Sequence, residues 1–160
     1  MSEPTIKCIT LWQPYASLIA IGAKRIETRS WSTNYRGPLL IHAAKCWNDE
    51  IADDCLRAKT VLEKYRYSPS GLWGDAASLM WKQTLGKVLA RGRLAECVPM
   101  LVAPDGTMDS DFGWFGPGRF GWRIADVVPI LPPIAVRGAQ GLFDVPLSVI
   151  ENASEEFRCR

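Results

Sequence analysis

The chain has little of what builds metal sites, membrane spans or strongly charged surfaces. It holds one histidine, His42, and its five cysteines, Cys8, Cys46, Cys55, Cys97 and Cys159, include no Cys-x-x-Cys pair. Zinc sites need clustered thiolates and imidazoles, so no metal ligands are expected, and no cofactor is expected either. Any Ser-His or Cys-His nucleophile pair would have to use His42. Scattered, odd-numbered cysteines suit a reducing compartment, and the expected location is cytoplasmic. No run approaches the roughly 18 apolar residues of a helical span, so no membrane partner is expected. The N-terminus lacks a basic start followed by an apolar core, so no secretory signal is expected. The net charge is +2, which leaves a nucleic-acid partner open but confines any basic surface to a local patch.

What is present is ordinary globular composition: 160 residues, 48% hydrophobic and 22% charged. That is enough for one substantial core. The expected organisation is a single domain over residues 1–160, with a core at about 6–148 and a tail at 149–160. Disorder is expected only at the ends, Met1–Pro4 and about Asn152–Arg160.

Periodicity gives the elements. "IKCITLW", from Ile6, alternates and is rich in β-branched residues, which predicts a strand. "QPYASLIAIG" predicts a short helix, with Pro14 in the first turn, Gly22 past the end, and Tyr15, Leu18 and Ile19 buried. "RIETRS" and "PLLIHAAK" are further strands around a turn at Asn34 and Gly37. The second of them is apolar on both faces and so expected to be central. Ile51, Cys55, Ala58, Leu62 and Tyr65 form one face of a helix that Asn48 or Asp49 can cap. A second helix is expected from Asp75 to about Leu85. "KVLARGRLAECVPML" is a long strand with Gly92 as a bulge. Val98–Gly118 reads as a loop, "RFGWRIADVVPI" as a strand, "LPPIAVRGAQG" as a proline-held connection, and "GLFDVPL" as a closing strand. Five or six strands with helices gathered in the first half suggest an α+β fold whose sheet closes into a small barrel, which would remove exposed edges.

The strand after Gly22 is unusual. Lys24, Arg25, Glu27 and Arg29 fall within six residues. Alternation puts Arg25, Glu27 and Arg29 on one face and Lys24, Ile26 and Thr28 on the other. One reading is a solvated face, with exposed pairs contributing roughly 0–1 kcal/mol. The other is a polar cleft in which Glu27 orients arginines suited to phosphate or a base edge, while Lys24 faces the cavity as a base or contact.

"LWQPYASLIAIGAKRIETRSW" followed by "YRGPLLIHAAK" closely resembles the activating-signal-cointegrator homology (ASCH) domain. The family's Gly-x-Lys-x-x-Glu-x-Arg motif is matched by Gly22, Lys24, Glu27 and Arg29, flanked by Gln13-Pro14, Ser30-Trp31 and Arg36-Gly37. "GKVLARGRLAECVP", "GRFGWRIADVVPI" and "PIAVRGAQGLFDV" are similar to later parts of bacterial and phage members, so the likeness covers about residues 6–148. The resemblance implies a PUA-like β-barrel whose cleft the motif lines. It implies RNA, a nucleotide or a modified nucleoside as the ligand class, with DNA open.

Family members differ in activity. Some relatives hydrolyse N4-acetylcytidine, one is reported as a ribonuclease, and the cointegrator carries the domain within a larger complex. Against the amidohydrolase pattern, the catalytic lysine matches Lys24, but the threonine position holds Glu27. Thr28 is adjacent on the other face, and the Val98–Gly118 region offers Asp105, Asp109 and Asp111 but no Glu. The candidate catalytic pair is therefore Lys24 with Glu27 or a loop aspartate. The candidate ligand-binding residues are Gln13, Lys24, Glu27, Arg29, Trp31 and Arg119. Gln13 reads either as a base-edge contact or as a helix cap. Trp114 or Phe115 of the Asp111–Gly118 loop reads either as a stacking platform or as satellite core. His42 reads as a half-buried structural residue, and Lys45 as either near the cleft or solvated. Four functions stay open: a binding module for RNA or a nucleotide, an acyl-nucleoside hydrolase, a ribonuclease, and a protein adaptor using Asn48–Leu85.

Overall fold

Strand-forming segments alternate with short helices along the chain. A computed structural model describes residues 2–67 and 81–158, with side chains through residue 153. The elements run β1 (Thr5–Leu11), α1 (Tyr15–Ala20), β2 (Ile26–Arg29), β3 (Gly37–Ala43), α2 (Asp49–Lys64), β4 (Lys87–Pro99), α3 (Asp109–Phe112), β5 (Phe120–Ala135), β6 (Leu142–Pro146) and α4 (Leu147–Arg158). The six strands form one mixed sheet, in the order β2-β5-β4-β3-β1-β6. β1 and β3 are parallel, and the other pairs are antiparallel.

The α+β class is as the sequence predicts, but the closed barrel is not. β2 and β6 remain the two edges of an open sheet. The reason lies at the outer side of β2, where a carboxylate stands in place of a partner strand. Asp109 Oδ1 accepts from Arg25 N at 2.7 Å and from Ile26 N at 2.9 Å. A short, charged, side-chain-capped strand is one way to blunt an edge without closing it.

β3 lies between β4 and β1, and Leu39–Ala43 are fully buried, as two-sided apolarity requires. On one face, Ile9, Leu11, Leu89, Leu94 and Trp122 pack with Ala16, Ile19 and Ala20 of α1. On α1's other side, Leu18 meets Ile51, Cys55, Ala58 and Leu62 of α2. The α2 face therefore follows its spacing, and Asn48 Oδ1 accepts from Ile51 N at 2.8 Å. Tyr65 falls just past the helix end and is exposed rather than part of that face.

Three further expectations change. The first part of the proline-held connection, through Ala135, is instead the end of β5, because a register shift between Val88 and Ala90 of β4 leaves Pro132 and Pro133 opposite no ladder donor, and only residues 136–141 connect to β6. Through Arg158 the C-terminal tail is helical, where disorder is expected from about Asn152. Leu147 N bonds Pro4 O at 2.9 Å, and Leu147 and Ile150 pack against Ile6, Cys8 and Val145. The Val98–Gly118 loop contains α3, one turn of helix. The expected bulge at Gly92 coincides with a register shift, and a Cβ there would sit 3.1 Å from Ala125 O. The expected Asp75–Leu85 helix falls largely outside the described residues.

Candidate ligand cleft

Gly22 sets up the cleft. Its φ of +82° turns the chain out of α1 where a side chain would be strained, and a Cβ would lie 3.3 Å from Tyr67 Oη. Two residues later Lys24 enters the interior and is 1% exposed. Its Nζ donates to Ile26 O and, at 2.9 Å, to Phe112 O, and lies 3.4 Å from Glu27 Oε2. Two of the three ammonium donors are thus hydrogen-bonded to backbone carbonyls, and the Glu27 contact is an ion pair. Lys24 and Glu27 meet because Lys24 precedes β2, so strict strand alternation does not apply to it.

Glu27 is shared. Its Oε1 lies 3.4 Å from Arg29 Nε, while Arg29 Nη2 donates to Thr10 O at 2.8 Å. Arg29 Nε is buried with an ion-pair contact but no well-aligned hydrogen bond, and Arg119 Nε is likewise buried and unbonded. Arg119 Nη2 donates to Thr28 O at 2.7 Å, and its guanidinium stands 5.0 Å from the Trp114 ring centre. Thr28 Oγ1 accepts from Trp114 N at 3.2 Å, which fastens the aromatic loop to β2.

These groups surround a cavity of about 520 Å³. Its lining includes Glu27, Arg29 and Trp31 of the β2 segment, Asp111, Trp114 and Arg119 of the later loop, and Thr10, Trp12 and Tyr15 from the end of β1 and the start of α1. Trp31 packs edge-on against buried Trp122 at 4.6 Å, and Trp122 Nε1 donates to Trp31 O.

Glu27, Arg29, Trp31 and Arg119 are thus brought together. Two other candidates are displaced. Lys24 does not line the cavity but stands behind Glu27. Gln13 is fully buried and bonds Ser17 and Thr84 from Nε2, with Oε1 accepting from Ser17 N. Its helix-capping reading is the one that matches this geometry. Phe115 folds over Gly113 instead of lining the cavity, and Lys45 lies at another cavity entirely. Asp109 caps β2, so the loop carboxylate on the wall is Asp111, which lies 3.5 Å from Lys64 Nζ.

Sequence reasoning placed Tyr15 in the core, but it lines the cleft. Its Oη donates to Asp54 at 3.3 Å, and burial, reinforced by the Asp54 charge, pushes the phenol up to about 12. Trp12 also lines the cavity and is 54% exposed. Both flank the Gln13-Pro14 pair, and that adjacency was the available signal. Among the described residues no group of three or more metal-ligating side chains converges, and no helix is long and apolar enough to cross a membrane.

The sequence model of the ASCH domain family matches residues 9–97, more than half of the 160. The chain belongs to the ASCH domain family. It is also similar to activating signal cointegrator 1 of Mus musculus and of Homo sapiens, at 53% identity over 36 residues in each case. That match covers 22% of this chain and 6% of either relative, so the chain spans a small part of those proteins' length. Within this ASCH domain, three motif residues form a relay from Lys24 through Glu27 to Arg29, and Gly22 supplies the turn that starts it.

Proposed function

We propose that this ASCH domain, taken as one PUA-like domain over residues 1–160, binds a base of single-stranded RNA or of a free nucleotide or modified nucleoside. The observation that carries the reading is the balance of the cleft wall. Two carboxylates, Glu27 and Asp111, and two guanidiniums, Arg29 and Arg119, line the cavity together with Trp12, Trp31 and Trp114. A site with equal positive and negative charge is ill-suited to a bare phosphate. Donors, acceptors and aromatic faces together suit a nucleobase, whose edge offers both hydrogen-bond polarities and whose face stacks. The 520 Å³ volume is in the range of small-molecule pockets. Arg29 and Arg119 each keep one buried Nε–H without a hydrogen bond, and a ligand acceptor would relieve a cost of about 1–3 kcal/mol per group.

The reading is one of binding. A lysine acting as general base needs a lone pair directed at its substrate, and Lys24 is absent from the cavity lining, with two donors bonded to the Ile26 and Phe112 carbonyls and Nζ 3.4 Å from Glu27. Its role here is to hold Glu27 and the α3 backbone in place. The test is fluorescence anisotropy with a labelled single-stranded RNA, competed by nucleosides including N4-acetylcytidine. Arg29→Ala is expected to weaken binding at least tenfold. Absence of binding to every one of these ligands sinks the proposal. Turnover of N4-acetylcytidine that Glu27→Gln abolishes would replace binding with hydrolysis.

A further inference from the structure

A second cavity, of about 770 Å³, opens beside the first and differs from it in charge. Its cations are Lys45 at the end of β3, Lys87 at the start of β4 and Arg137 just after β5. No aspartate or glutamate lines it. None of the three cations has a carboxylate partner among the described residues. Three like charges held around one concavity without a counter-ion repel one another, and an anion relieves that repulsion.

The floor is built rather than incidental. His42, 1% exposed, is held through Nδ1 by Thr10 Oγ1 at 3.1 Å and through Nε2 by Val136 O at 2.9 Å. Gly138 lies so close that a Cβ would sit 2.6 Å from the His42 ring. The 137–140 segment is thereby pinned over the cavity floor. Burial pushes His42 below its ordinary pKa, so at neutral pH the ring is uncharged and the positive field comes from the three cations.

Thr10 joins the two cavities. Its carbonyl accepts from Arg29 in the first, and its hydroxyl meets His42 in the second. Both cavities count it among their walls.

We infer that the cavity bounded by Lys45, Lys87 and Arg137 is a phosphate subsite, taking the phosphate of a nucleotide whose base occupies the Glu27–Arg29 cleft. This rests on the base-binding reading for its second half only. The same phosphate chemistry can come from the backbone of an RNA strand or from a free nucleoside polyphosphate.

The experiment uses the full chain and the variant Lys45→Ala/Lys87→Ala/Arg137→Ala, whose fold is checked by circular dichroism. Amide spectra are recorded with inorganic tripolyphosphate, then with cytidine triphosphate, then with an eight-nucleotide single-stranded RNA. The wild-type amides of Gly86 and Gly138 are expected to shift with tripolyphosphate, and in the variant they are expected to stay still. An RNA-strand source predicts that the slope of log affinity against log salt falls by about 0.7 in the variant, the contribution of one single-strand phosphate contact. Unchanged RNA salt dependence with a lost cytidine triphosphate response assigns the site to free polyphosphates. Shifts at Gly86 and Gly138 without any RNA or nucleotide response at the cleft would leave the anion site standing while the base-binding reading failed. No shift at those amides with any of the three ligands overturns the inference. So does an equal response in the variant.

Discussion

Lys24 Nζ lies 3.4 Å from Glu27 Oε2, in a position where the lysine is 1% exposed and the glutamate side chain 13%. Breaking a buried pair from one side leaves an uncompensated charge and costs about 3–5 kcal/mol. Lys24→Met is therefore expected to destabilise by that order in denaturant unfolding. Lys24→Met combined with Glu27→Gln should cost less than the sum of the two single changes. Strict additivity would show that the pair is not coupled.

Trp114 is 74% exposed and its backbone, not its ring, fastens the loop to Thr28. Trp114→Ala should leave the melting temperature nearly unchanged. If the ring stacks on a base, affinity for single-stranded RNA falls by about 1–3 kcal/mol. A loss of stability without a loss of affinity would assign the ring to packing.

His42 is the single histidine, so any imidazole titration in the protein is its own. Burial lowers its pKa below the ordinary 6.5, the bonds to backbone carbonyls only partly opposing this. The folded state thus binds the proton less readily than the unfolded chain. Stability is full above the unfolded value and declines as pH falls below about 6.5. Melting temperature measured across pH 4 to 8 for wild type and His42→Gln should diverge in that acidic window. Parallel curves would contradict the assignment.

Cys8 and Cys55 are buried, and burial pushes both thiols up to about 12. Cys46 is exposed. Alkylation at pH 8 followed by peptide mapping is expected to modify Cys46 rapidly, and Cys8 and Cys55 only after unfolding. Rapid native labelling of Cys8 would contradict its burial with Leu40, Val88 and Val145.

Much of the sheet was legible because alternation and two-sided apolarity are local signals. The Leu39–Ala43 run read as central and is central, and the α2 face followed its spacing of three and four. Edges were less legible. Whether a sheet closes depends on what lies beside its first and last strands, and here Asp109, 83 residues from Ile26, fills that place. The C-terminal helix was not legible because the residues that anchor its start, Leu147 and Ile150, find their partners on β1 and β6, far away in the chain.

The cleft divides in the same way. The sequence by itself determined which residues carry charge near Gly22, the turn that glycine permits, and membership of a family whose motif holds Lys24, Glu27 and Arg29. Tertiary structure alone decided which of them meet solvent. It buried Lys24 behind Glu27, used Gln13 to hold Ser17 and Thr84, and brought Tyr15, Asp111 and Arg119 from three other segments to one cavity. The physical reason is that a side chain's type and its position along a strand are fixed locally. Its exposure depends on whichever distant backbone carbonyl or carboxylate reaches it first, as Phe112 O reaches Lys24 across 88 residues.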